Sequence, residues 1–126
     1  MKMIDMINAR RALTRLASYP SGPALRRKAK FALRMSEFIE GIYAGMERAL
    51  LLDYAELDGS GEPKIEAGCY KIKEACRDEF HRRIAEVLET EIPFHLNGDL
   101  LFSEEELSGC GPDELRALAC LRRGDE

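Results

Sequence analysis

Apolar residues recur at helical spacing through most of this chain and are interrupted at a few places dense in turn-forming residues. From Asp5 to Tyr19, Met6, Ile7, Leu13, Leu16 and Ala17 follow a helical period, and the run stops at Tyr19-Pro20-Ser21-Gly22-Pro23. Ser21 suits the cap of a second helix and Pro23 its first turn, where a missing N–H costs nothing. No breaker follows until about Tyr54. At about 100° per residue, Leu25, Phe31, Ala32, Met35, Phe38, Ile39, Ile42, Tyr43, Met46, Ala49 and Leu50 gather in an arc about 140° wide. Arg26, Lys30, Arg34, Glu37, Glu40 and Arg48 occupy the other side. So wide a stripe, on a helix ~45 Å long at ~1.5 Å per residue, predicts a spine covered by more than one neighbour.

Asp58-Gly59-Ser60-Gly61-Glu62-Pro63 breaks the periodicity, and Lys64-Ile65-Glu66 with Cys69-Tyr70-Lys71 can close a very short hairpin around Ala67-Gly68. From Lys71 to Thr90, Ile72, Cys76, Phe80, Ile84 and Val87 share one arc while Glu74, Asp78, Arg82, Glu86 and Glu89 face away, which predicts a third, one-sided helix. A connection of this kind folds it back antiparallel on the second. It is shorter, so the first helix is expected to cover the remainder. Residues 91–96 read as an extended segment that Pro93 confines to a sheet edge, before Asn97-Gly98-Asp99, with Met1 to Ile4 as the pairing partner. Ser103-Glu104-Glu105-Glu106 has capping-box spacing, and Gly111-Pro112-Asp113-Glu114 opens a last helix through Leu115, Leu118 and Leu121. The expected fold is mainly α. A long antiparallel helical hairpin carries an N-terminal helix, a short β pairing of the N-terminus with residues 91–96, and a short C-terminal helix, in a single domain over 1–126.

Composition agrees with that class: 45% hydrophobic residues, 33% charged, 7% aromatic and no Trp suit an aliphatic, helix-type core. No apolar run approaches the ~20 residues of a membrane span and the N-terminus has no signal-peptide pattern, so a cytoplasmic protein is expected. In that compartment Cys69, Cys76, Cys110 and Cys120 read as reduced, small, buried apolar residues. The net charge of −4 conceals a split. Residues 1–35 hold nine Lys/Arg against one acid, +8, and the remainder holds ten against 22, −12. Such polarity serves a polyanion contact, head-to-tail self-association, or attraction within one fold.

Catalytic and cofactor chemistry has little to build on. His81 and His95 are the only histidines, neither stands at ligand spacing from a second, and Cys76 and His81 point to different helix faces, so no zinc or other metal is expected. The Asp58 loop places Pro63 where a calcium loop needs its sharp-turn glycine. There is no Walker loop, dinucleotide fingerprint or nucleophile elbow. No enzyme, cofactor or small-molecule substrate is therefore predicted. Two surfaces stand out instead. Arg26, Arg27, Lys28, Lys30 and Arg34 form the densest basic cluster, a candidate nucleic-acid or polyanion contact, although no aromatic platform or recognition motif accompanies it and the pI is near 5.3. Gly41 and Gly45, each costing ~1 kcal/mol in a helix relative to Ala, suggest close approach of another backbone. With Phe38 and Ile42 they make a candidate self-association surface.

The order of these elements resembles a family of small, uncharacterised phage and prophage proteins of unknown function. The likeness is carried by Phe38-Ile39-Glu40 through Leu57-Asp58-Gly59, by Asp78-Glu79-Phe80, by Leu88-Glu89-Thr90-Glu91-Ile92-Pro93 and by Pro112-Asp113-Glu114-Leu115. It spans nearly the whole chain and supplies no catalytic residue; the four cysteines are atypical of that family. It implies a phage-borne accessory or morphogenesis protein in the bacterial host cytoplasm. The wide apolar arc and the charge split point to an interaction or assembly role, as a homo-oligomer or with another phage protein, and the basic cluster gives nucleic-acid binding as the alternative.

Overall fold

A computed structural model describes residues 1–18, 22–92 and 101–123. Within them the chain is mainly helical and forms two compact units: residues 1–40 with 91–126, and residues 41–90. One helix, α2 (Pro23–Tyr54), contributes to both. Its start at Pro23 and end at Tyr54 lie where the proline and the approach to the Asp58 turn placed them.

In the first unit α1 (Met3–Ser18) buries Met3, Met6, Ala9, Ala12, Leu13 and Leu16. These side chains recur at three- and four-residue intervals, so they form one face. They meet the first part of α2 along Ala29, Ala32, Ser36 and Ile39, all buried. Three of those four are small, and this lets the backbones approach closely enough for the Ser36 hydroxyl to donate to the Met6 carbonyl at 2.7 Å. The widest part of the predicted arc is thereby overturned. Phe31 and Phe38, expected inward, are 45% and 62% exposed. The close approach of α1 selects the row of small residues for the core and turns the bulky phenylalanines out. Arg10 pairs with Glu40 beside this contact.

Phe102, Leu107, Leu118 and Leu121 complete the core of this unit. Their segment is held by Ser103, which accepts from the Glu106 amide while Glu106 accepts from the Ser103 amide, the reciprocal capping the spacing predicted. Next, α4 (Pro112–Ala117) packs on α1 and continues into a 3-10 turn, Ala119–Leu121. Glu114 accepts from the Gly111 amide at its start and pairs with Arg15 of α1. The expected pairing of the N-terminus with residues 91–96 is present as one antiparallel bridge, Lys2 with Glu91, where the Ile92 amide donates to the Met1 carbonyl. The Met1 ammonium reaches Glu91 at 2.8 Å. The rest of that predicted strand, and the Tyr19–Ser21 turn, lie outside the described residues.

The second unit pairs the end of α2 with α3 (Arg77–Leu88). Tyr54 meets Phe80 edge-on at 6.4 Å, while Met46 and Leu50 share a groove with Val87 and Thr90, so the two helices run antiparallel. Between them the chain turns at Asp58, whose carboxylate accepts from the Ser60 amide and hydroxyl and the Glu62 amide. Those bonds hold its pKa below the usual carboxylate range. The short hairpin forms as expected: β1 (Ile65–Glu66) and β2 (Cys69–Tyr70) pair antiparallel, Ile65 opposite Tyr70. Ala67 and Gly68 both adopt positive φ, 51° and 79°, the requirement of the tight primed turn. The third helix starts later than its periodicity suggested. The Lys71 amide donates to Lys64, extending the hairpin ladder, the Lys73 amide donates to Tyr54 at the end of α2, and a 3-10 turn, Glu74–Cys76, precedes α3. Hydrogen bonding of these amides outweighs the helical pattern of their side chains.

Candidate interaction surface

The basic cluster is divided by the fold. Lys28 reaches the Glu106 carboxylate at 2.8 Å and the Leu101 carbonyl at 3.0 Å, with its ammonium 5.5 Å from the Phe102 ring centre. It is therefore a structural cation. Burial pushes the Glu106 pKa up, but the hydrogen bonds from Lys28 and Ser103 together outweigh it and hold the carboxyl below its usual range. Arg26, Arg27, Lys30 and Arg34 are exposed and form no ion pair among the described residues.

Two of these free cations, Arg27 and Arg34, share a face with the outward phenylalanines. Arg27 precedes Phe31 by four residues and Arg34 precedes Phe38 by four, so each pair lies on one helix face, and half-buried Met35 stands between the two rings, four residues after Phe31 and three before Phe38. Within the first unit, α2 thus presents an apolar ridge flanked by unpaired positive charge. The aromatic component that sequence reasoning missed was hidden by treating every large apolar residue as core; the small residues at 29, 32 and 36 were the signal that could have found it.

Of the self-association candidates, Phe38 is the most exposed large apolar residue described. Gly41 and Gly45 are exposed, and a Cβ built on either meets no described atom of the same chain within 4 Å, so their flank is open. Ile42 is half-buried. In the second unit Met46, Leu52, Leu57, Ile65 and Tyr70 are also exposed. Tyr43 donates its hydroxyl to Glu47 at 2.9 Å, and burial, then that carboxylate, pushes its pKa up to about 12.

The cysteines depart from the expected burial. All four are free; Cys69 is exposed and the other three are half-buried. Burial, then the Asp5 charge, raises the Cys120 thiol to about 11. His81 is exposed beside Phe80, and His95 lies outside the described residues. Among the described residues no three His, Cys, Asp or Glu side chains converge on a metal site, and no helix is long and apolar enough to cross a membrane. No family model, curated protein or solved structure matches this chain.

Proposed function

We propose that this chain is a non-enzymatic interaction or assembly component that docks a protein partner on the α2 ridge of Phe31, Met35 and Phe38. The observation that carries this reading is the 62% exposure of Phe38 on a helix that buries Ala29, Ala32, Ser36 and Ile39 on another side. Clustered exposed apolar side chains on a folded surface mark interaction sites. The resemblance to phage proteins supports a (pro)phage accessory role in the bacterial host cytoplasm. Chromatography with light scattering tests the reading: a stoichiometric complex, with itself or another protein, is expected and is lost on Phe38→Asp. A strict monomer without a stoichiometric partner overturns it.

A second reading is favoured by one specific observation, the unpaired Arg27 and Arg34 each four residues before an exposed phenylalanine. Cations beside stacking rings are the chemistry of single-strand nucleic-acid binding. It ranks second because Lys28 is already engaged and the whole chain carries −4. Fluorescence anisotropy with a labelled single-stranded oligonucleotide tests it. Binding that weakens steeply with salt is expected, and a flat titration at low salt removes it.

A further inference from the structure

We infer that the partner seated on this ridge is a second copy of the chain, which receives it in the acidic cleft between the α2 end and the β1–β2 hairpin. The inference rests on the interaction reading above and names its occupant. In the second unit a cleft of about 480 Å³ lies between Ala44, Glu47, Arg48 and Leu51 on α2 and Ile65 and Tyr70 on the hairpin. Ile65 and Tyr70 face each other across the two strands and are 60% and 47% exposed. They form an apolar wall that nothing among the described residues covers.

Charge selects the occupant. The cleft carries Glu47, Asp58 and Glu62 against one base, Arg48. Arg48 is neutralised by Glu62 at 2.9 Å, and the Asp58 carboxylate is turned onto its own loop. Glu47, held among the described residues by the Tyr43 hydroxyl alone, is the acid left for an incoming cation. The second unit as a whole holds 11 acids against seven bases, a surplus that suits the unpaired Arg27 and Arg34 beside Phe31 and Phe38. Phe38 of one copy packs between Ile65 and Tyr70 of another, an aromatic-on-aliphatic and aromatic-pair contact, while Arg34 meets Glu47. The ridge and the cleft are different surfaces, so the contact is heterologous: each copy offers one of each.

Complementary variants test the contact in sedimentation experiments on the purified chain. One carries Arg27→Glu and Arg34→Glu, which spoil the ridge and spare the cleft; the other carries Glu47→Lys and Ile65→Ser, which spoil the cleft and spare the ridge. All four positions are at the surface or its margin, and circular dichroism checks that both variants fold. The wild type is expected to associate with rising concentration. Each variant alone should lose at least about tenfold in affinity. An equimolar mixture should recover a heterodimer, because one intact ridge then meets one intact cleft. Variants that associate like wild type, or a mixture that stays monomeric, overturn the inference. A wild type that is monomeric alone yet holds another protein in a Phe38-dependent complex overturns it and leaves the interaction reading standing; loss of both removes both. Binding of a single-stranded oligonucleotide that the ridge variant abolishes, with no self-association, assigns the ridge to nucleic acid and likewise overturns it.

Discussion

The first unit buries three layers of apolar side chains from α1, α2 and the C-terminal segment, whereas the second fully buries only Leu51 and Ala55 among its described residues. Their means of cohesion differ accordingly. Packing of Met6, Leu13, Ile39, Phe102, Leu118 and Leu121 holds the first. Backbone ladders, the Asp58 turn and exposed ion pairs such as Arg82 with Glu79 and Glu86 hold the second. Exposed pairs contribute at most about 1 kcal/mol each, so the second unit has the smaller stability reserve of its own. A region with exposed Ile65 and Tyr70 and little core gains most from being covered, which agrees with its role as the receiving surface in the contact inferred above.

The largest expected effect separates the units directly. Phe102→Ala removes a fully buried ring and should cost about 3–5 kcal/mol in urea unfolding. Leu51→Ala should instead lower amide-exchange protection mainly within residues 41–90. Equal loss of protection in both units from Leu51→Ala would break the contrast.

Second in size is the Lys28–Glu106 contact, whose side chains are mostly buried. Lys28→Met leaves the carboxylate without its cation and should cost about 1–3 kcal/mol. The Glu106 pKa is depressed in the folded state, so its contribution is fully present above the unfolded value of about 4.3 and is lost as pH falls through the folded one. Acid titration followed by exchange of the 101–123 amides should show this loss, and Lys28→Met should shrink or reverse it, because burial is then opposed by the Ser103 bonds alone.

Thiol chemistry sharpens the comparison further. With a pKa of about 11 and partial burial, Cys120 holds only about a thousandth of its thiol ionised at pH 8. Iodoacetamide labelling read by mass spectrometry should therefore modify exposed Cys69 first and Cys120 last, by more than about tenfold in rate. Simultaneous labelling would mean that the first unit opens as readily as the second.

The smallest effect is a gain. Ala67 holds a positive φ that Asn tolerates better, so Ala67→Asn should stabilise the hairpin by about 0.5 kcal/mol, visible as slower exchange of the Lys71 amide.

Elements marked by local chemistry were legible in the chain itself: Pro23 at the start of α2, the Ala67-Gly68 turn, the Ser103–Glu106 capping pair and the Pro112 helix start. Features decided by neighbours were not. Lys71 and Lys73 have helical-looking surroundings but give their amides to the Lys64 and Tyr54 carbonyls, a tertiary choice. Phe31 and Phe38 belong to the apolar arc by period alone, and only the approach of α1 onto Ala29, Ala32 and Ser36 reveals which edge of that arc is closed. The candidate surface was half legible for the same reason. Its cations were visible as a cluster, but Lys28 could be removed from it, and the rings added, only once Glu106 and α1 had found their places.

Ser36 sets a spacing gauge. Its hydroxyl spans the gap to the Met6 carbonyl, so the α1 and α2 backbones stand as near as a two-atom side chain permits, and any larger residue at 36 would wedge them apart. Tolerance at this position is thus confined to Gly, Ala, Ser and Cys, whereas Phe38, two residues on, is open to exchange as far as folding alone is concerned. A distant relative of this chain is then recognised less by shared bulky residues than by a run of small ones at positions corresponding to 29, 32 and 36, opposite an N-terminal helix with small residues at 9 and 12.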